Sequence, residues 1–125
     1  MNELYTILII DDDPNIRELL HVNLAAQGYA VSLAENGRQG LDIIHQHNPN
    51  LIILDVMMPD TDGWEVCKAV KDDPATASIK ILMLTAKNSD RDRMIGRDVF
   101  GADEYMAKPF EIDALLETLK RLLND

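Results

Sequence analysis

Ile7-Leu8-Ile9-Ile10-Asp11-Asp12-Asp13-Pro14 decides the fold. Four aliphatic residues, three of them β-branched, are apolar on both faces, as a strand buried between two layers must be. The run stops abruptly at three acids and a proline. Asp13 is placed to cap a helix whose first position Pro14 can occupy, since that position needs no backbone N–H. A strand therefore runs straight into a helix. Ile16, Leu19, Leu20 and Leu24 recur as one apolar helical stripe, and Gly28 is placed to close that helix in the left-handed conformation.

The same unit repeats along the chain. A short strand spans about Tyr29 to Leu33, and Asn36-Gly37 opens a second helix with Leu41 and Ile44 inward, which must end near Asn48-Pro49. Leu51-Ile52-Ile53-Leu54 is a second fully aliphatic run, halted by Asp55 and an irregular stretch to Gly63. A helix with Trp64, Cys67 and Val70 follows, then a loop through Asp73-Pro74 and a fourth strand from Ile79 to Leu84. A polar helix from about Asp90 to Phe100, a strand from about Glu104 to Ala107, and a helix with Ile112, Leu115, Leu116, Leu119, Leu122 and Leu123 complete the pattern. Parallel strands need crossovers, and right-handed crossovers put helices on both faces. The expectation is one α/β domain over residues 1–125: a doubly wound parallel sheet of five strands with five helices. The flavodoxin-like order 2-1-3-4-5 puts the two most aliphatic strands side by side at its centre.

Composition narrows the function. The 125 residues carry a net charge of −10 with 46% hydrophobic residues, enough for a core without cross-links. Cys67 is alone, so no disulfide framework exists, and the helical histidines His21, His45 and His47 form no zinc-type spacing with it. Such acidity argues against direct nucleic-acid binding, which clustered Lys and Arg supply. Met1-Asn2-Glu3 is not a basic leader, and no apolar run is long enough to span a membrane. A soluble, cytoplasmic protein is expected.

In a doubly wound sheet the ligand crevice lies beyond the carboxyl ends of the strands, where the strand order reverses. Asp11 and Asp12 end the first strand, Asp55 the third and Thr85 the fourth, while Lys108 follows the fifth. Each alone has an ordinary explanation as cap, loop acid or surface charge. Their convergence on one rim does not. Clustered carboxylates repel unless a cation compensates them, and a small all-oxygen set suits Mg²⁺, with Mn²⁺ as the alternative, better than Ca²⁺ or Zn²⁺. A carboxylate beside a divalent ion, an ammonium and a hydroxyl is equipped for phosphoryl transfer.

Four stretches carry a family resemblance: residues 7–13, Leu51 to Pro59, Leu84-Thr85-Ala86, and Gly101 to Phe110 with its Lys108-Pro109. In order and spacing they closely resemble the receiver domain of two-component response regulators. The resemblance implies that Asp55 accepts a phosphoryl group from a histidine kinase or histidine phosphotransfer protein. It implies that Asp12, Asp55 and the Met57 carbonyl hold Mg²⁺, with Asp11 acting through water, and that Thr85 and Lys108 contact the phosphoryl oxygens. Thr85 and Tyr105 are the implied switch residues and Pro109 the implied cis proline. The surface of the fourth helix, fifth strand and last helix is then the one that changes for a downstream protein effector. The chain is expected to be a monomer or a weak dimer formed on phosphorylation, and to catalyse nothing beyond its own phosphorylation and dephosphorylation. Ala114 and Thr118 stand where winged-helix regulators carry an acid and an arginine used for dimerisation, and the stretch 71–78 is long for that subfamily, so a stand-alone or kinase-linked receiver is favoured. The enzymatic alternative, a haloacid-dehalogenase-type Mg²⁺ phosphatase, needs a second Asp two residues after the nucleophile, where Met57 stands. A flavodoxin-like FMN carrier is disfavoured by the acidic first loop, which repels phosphate.

Overall fold

A computed structural model of the protein describes residues 4–58, 62–85 and 101–124. Along the chain run β1 (Thr6–Ile10), α1 (Pro14–Ala26), β2 (Ala30–Ala34), α2 (Gly37–Gln46), β3 (Leu51–Asp55), α3 (Gly63–Asp72), β4 (Lys80–Thr85), β5 (Glu104–Ala107) and α4 (Ile112–Leu123). The strands form one parallel sheet in the order β2-β1-β3-β4-β5. This is the expected topology. The described residues contain four helices, and the one expected over Asp90 to Phe100 lies outside them.

Alternation along the central strands builds two core layers. Ile7, Ile9, Leu51, Ile53, Leu82 and Leu84 face one side, where Leu20 and Leu24 of α1 and Leu115, Leu119 and Leu123 of α4 cover them. Leu8, Ile10, Ile52, Leu54, Ile81 and Met83 face the other, under Ile44 of α2 and Val66, Cys67 and Val70 of α3. Because β1 and β3 pair Ile7 with Leu51 and Ile9 with Ile53, both strands send the same phase to the same layer. Cys67 is a core residue whose thiol burial pushes up to about 11.

Local signals work as the sequence implies. The Asp13 side chain accepts from the Asn15 N–H at 2.9 Å with Pro14 at the first helical position. Gly28, at φ +93°, ends α1 with the paired bonds Gly28 N–H to Ala25 O and Tyr29 N–H to Leu24 O. Asn36 caps α2 through the Gln39 N–H. One expectation fails: Leu19 is 44% exposed. The stripe of α1 is narrower than its leucines suggest, because α1 shares its side of the sheet with α4 and buries only the line through Leu20 and Leu24.

The foot of the sheet is cross-tied. The Lys71 ammonium donates to the Ala77 and Ile79 carbonyls at 3.2 and 2.7 Å and pairs with Asp103 at 2.8 Å. Asp103 in turn accepts from the Ile81 N–H at 2.8 Å. The stretch after α3 is also held by the Thr76 hydroxyl, which donates to the Val70 carbonyl at 2.7 Å.

Candidate functional site

The carboxyl ends of β1 and β3 bring Asp11 and Asp55 together, both almost fully buried, with the exposed Asp12 beside them. One carboxylate oxygen from each of the three lies within 4.8 Å of the others, a spacing one cation can bridge. The backbone holds these acids in place. The Asp11 carboxylate accepts from the Asp13 N–H at 2.9 Å, and Arg17, one turn into α1, donates to the Asp11 carbonyl at 2.7 Å. Asp55 accepts from the Met57 N–H at 3.3 Å.

Lys108 reaches in from the end of β5, its Nζ 2.9 Å from Asp11 Oδ2 and 3.5 Å from Asp55 Oδ1. Its backbone N–H donates to the Thr85 carbonyl at 2.7 Å, so lysine and threonine share one hydrogen-bonded corner of the sheet. Thr85 is buried on the last residue of β4, one position beyond Leu84, the register partner of Asp55. The Lys108–Pro109 peptide bond is cis, as the resemblance implies.

Electrostatics single out Asp55. Burial pushes its carboxyl from 3.8 up to about 6; the negative charge of Asp11 and a hydrogen bond with Asp12 push the same way, against Lys108 and the Met57 N–H. For Lys108, burial acts to lower the ammonium, and the hydrogen bond and charge of Asp11, followed by those of Asp55, raise it above 10.5 on balance. Both upward shifts agree with the geometry. The ammonium leans toward Asp11 and leaves Asp55 under-compensated, although the two groups are themselves a pair. The donor set is all oxygen and carries more negative charge than one lysine neutralises, which fits a hard divalent cation such as Mg²⁺.

The loop after β3 is shaped by a glycine. The Gly63 N–H donates to the Val56 carbonyl at 3.0 Å, and a Cβ on Gly63 would lie 2.3 Å from the Asp55 carbonyl oxygen. Only a residue without a side chain lets α3 start against the strand end that carries Asp55. Asp62 caps α3 through the Trp64 N–H at 2.9 Å and bridges back to Met57, whose side chain is 60% exposed.

Two contacts here escaped the sequence reading. Arg17 gives little signal beyond its spacing from Asp11. Trp64 stacks on Tyr105, with ring centroids 6.1 Å apart and planes at 15°. Helical period identifies Trp64 as inward-facing but not its partner. Pro59 and Ala86, which also entered the sequence reading, lie outside the described residues. Arg121 of α4 pairs with Glu104 of β5 at 2.7 Å. The Thr118 hydroxyl donates to the Ala114 carbonyl within α4 at 2.9 Å.

The comparisons agree with this geometry. Residues 7–120 match the family model of the response regulator receiver domain. The response regulator MprA of Mycolicibacterium vanbaalenii is 44% identical over 117 residues, covering 94% of this chain and 49% of that protein. The DNA-binding dual master transcriptional regulator RpaA of Synechocystis is likewise 44% identical over 117 residues, covering 94% and 48%. Among solved structures, the chemotaxis protein CheY4 of Vibrio cholerae superimposes with a TM-score of 0.90 at 34% identity, over 97% of this chain and 100% of that one. TrrA of Thermotoga maritima, solved in complex with Mg²⁺ and BeF, gives 0.84 at 39% identity, over 96% and 100%. The chain belongs to the receiver domains of two-component response regulators. It spans about half the length of the curated relatives it matches. Among the described residues no helix is long and apolar enough to cross a membrane.

Proposed function

We propose that this domain is a phosphorylation-driven switch in which Asp55 is the phosphoacceptor. The observation that carries the reading is the position of Asp55: a buried carboxylate at the end of a central strand, within reach of two further acids and a lysine. A carboxylate oxygen of Asp55 attacks the phosphorus of a phosphohistidine on a histidine kinase or histidine phosphotransfer protein. The P–N bond breaks as the acyl phosphate P–O bond forms, and the imidazole leaves with the electron pair. Asp12, Asp55 and the Met57 carbonyl would hold Mg²⁺, with Asp11 acting through water, and the ion would supply charge neutralisation for the approaching phosphoryl oxygens. Lys108 adds an ammonium to the same oxygens and the Thr85 hydroxyl donates to one of them.

The phosphoryl group is a new dianion that rewards only the arrangement able to bond it, so the populations of two conformations shift. Thr85 and Tyr105, on adjacent strands, pass that shift to the surface of β5 and α4, where a downstream protein effector binds. The whole of residues 1–125 acts as one such unit in the cytoplasm, a monomer or a weak dimer once phosphorylated. Incubation with acetyl phosphate and Mg²⁺ adds one phosphoryl mass to the intact protein, and Asp55→Asn abolishes it. A folded Asp55→Asn protein that labels as fast as the wild type overturns the assignment.

A further inference from the structure

Tyr105 sits on β5, an edge strand of four residues whose other side chains are only partly buried, yet Tyr105 itself is 4% exposed. An edge strand has a neighbour on one side only, so an aromatic ring there stays buried through what covers it from the helical layer. Trp64 reaches it from α3, across the face of β4, with its ring nearly parallel to the phenol. That tryptophan is not free to drift. It follows Gly63, which packs against the Asp55 carbonyl and donates to the Val56 carbonyl, and its own N–H is held by Asp62. Trp64 is thus fixed to the strand end that carries the acid site, and its ring stacks on Tyr105.

We infer that Trp64 is the positioning residue that holds Tyr105 in its buried rotamer, giving the Asp55 loop a route to β5 that does not pass through Thr85. An offset-stacked aromatic pair at this separation is worth a factor of about 2 to 12 in a local equilibrium. Loss of the stack therefore raises the population with Tyr105 turned toward solvent by about that factor. That this population matters to signalling rests on the proposed function, whereas the contact and its effect on Tyr105 do not.

Nitration by tetranitromethane, followed residue by residue by peptide mass spectrometry, reads how often a phenol is exposed. Tyr29, buried in the opposite core layer, is the internal control. On protein without Mg²⁺ or phosphodonor, Trp64→Leu should raise nitration of Tyr105 about 2- to 12-fold and leave Tyr29 unchanged, while Trp64→Phe, which keeps a ring, returns Tyr105 toward the wild-type rate. The inference is overturned by an unchanged Tyr105 rate in Trp64→Leu, by Tyr29 rising in step with Tyr105, or by a Trp64→Phe protein that behaves like Trp64→Leu. The assay needs no phosphorylation. A chain that labels at Asp55 yet fails it sinks this inference alone, and one that passes it yet fails to label sinks only the proposed function.

Discussion

Replacing Asp55 with Asn should stabilise this protein at neutral pH, although it removes the proposed phosphoacceptor. The Asp55 carboxyl is raised from 3.8 to about 6, so the folded protein binds that proton more tightly than the unfolded chain does. By linkage, stability from this group is fully present below pH 3.8 and falls as pH rises through about 6, beyond which it stays low. At about 1.4 kcal/mol per pH unit, the interval amounts to roughly 3 kcal/mol of instability at pH 7 and above. Asn carries no charge to bury and escapes that cost. With a urea m-value of about 1.5 kcal/mol/M, the Asn variant should unfold at roughly 2 M higher urea than the wild type in neutral buffer containing a chelator. The gap should close as the pH is lowered toward 4, where the wild-type carboxyl is also neutral. Mg²⁺ at ten times its dissociation constant should recover about 1.4 kcal/mol for the wild type and less for the variant, which has lost one of three acids. An Asp55→Asn protein no more stable than wild type at neutral pH, or a gap that ignores pH, refutes the account of a crowded, under-compensated carboxylate.

Lys108→Met removes the partner of a buried acid and should cost on the order of 3 kcal/mol, measured by urea unfolding, and should move the Asp55 carboxyl further up, measured by carboxyl NMR titration. Gly63→Ala places a methyl 2.3 Å from the Asp55 carbonyl oxygen and 2.8 Å from Val56 Cα, backbone atoms that cannot step aside. It should cost about 3 kcal/mol in thermal unfolding. Gly40→Ala meets side-chain and not backbone atoms, Ile10 Cδ1 and, at 2.8 Å, Cγ1, which can shift by rotation, and should cost less, so equal losses would contradict the packing described. Lys71→Met leaves Asp103 unpaired at the foot of the sheet and should lower stability by about 2–3 kcal/mol, with faster amide exchange at Ile81 as the local sign.

What the sequence made legible is what strand phase and turn chemistry can carry. The aliphatic runs at residues 7–10 and 51–54 announced central strands because burial on both faces leaves no polar position, and Gly28 announced a helix end because its backbone conformation favours glycine. The rim of acids followed from topology, since parallel strands all end on one side. Leu19 was misplaced because apolarity records what a residue tolerates and not which line of α1 the sheet and α4 leave room for. Arg17, the Lys71–Asp103 pair and the Trp64–Tyr105 stack were unreadable for a different reason. Each joins side chains, or a side chain and a backbone carbonyl, whose meeting depends on rotamers and crossing angles, and no period in the chain encodes those.

The cross-tie around Lys71 and Asp103 sits at the entry ends of β4 and β5, while Thr85 and Lys108 occupy their exit ends. These two strands are therefore bound like pages at the spine. Sliding one along the other breaks both Asp103 contacts, with Lys71 and with the Ile81 N–H, in one step, so the two strands move relative to each other by tilting in place of sliding. A sheet edge hinged this way returns to the same register after each excursion.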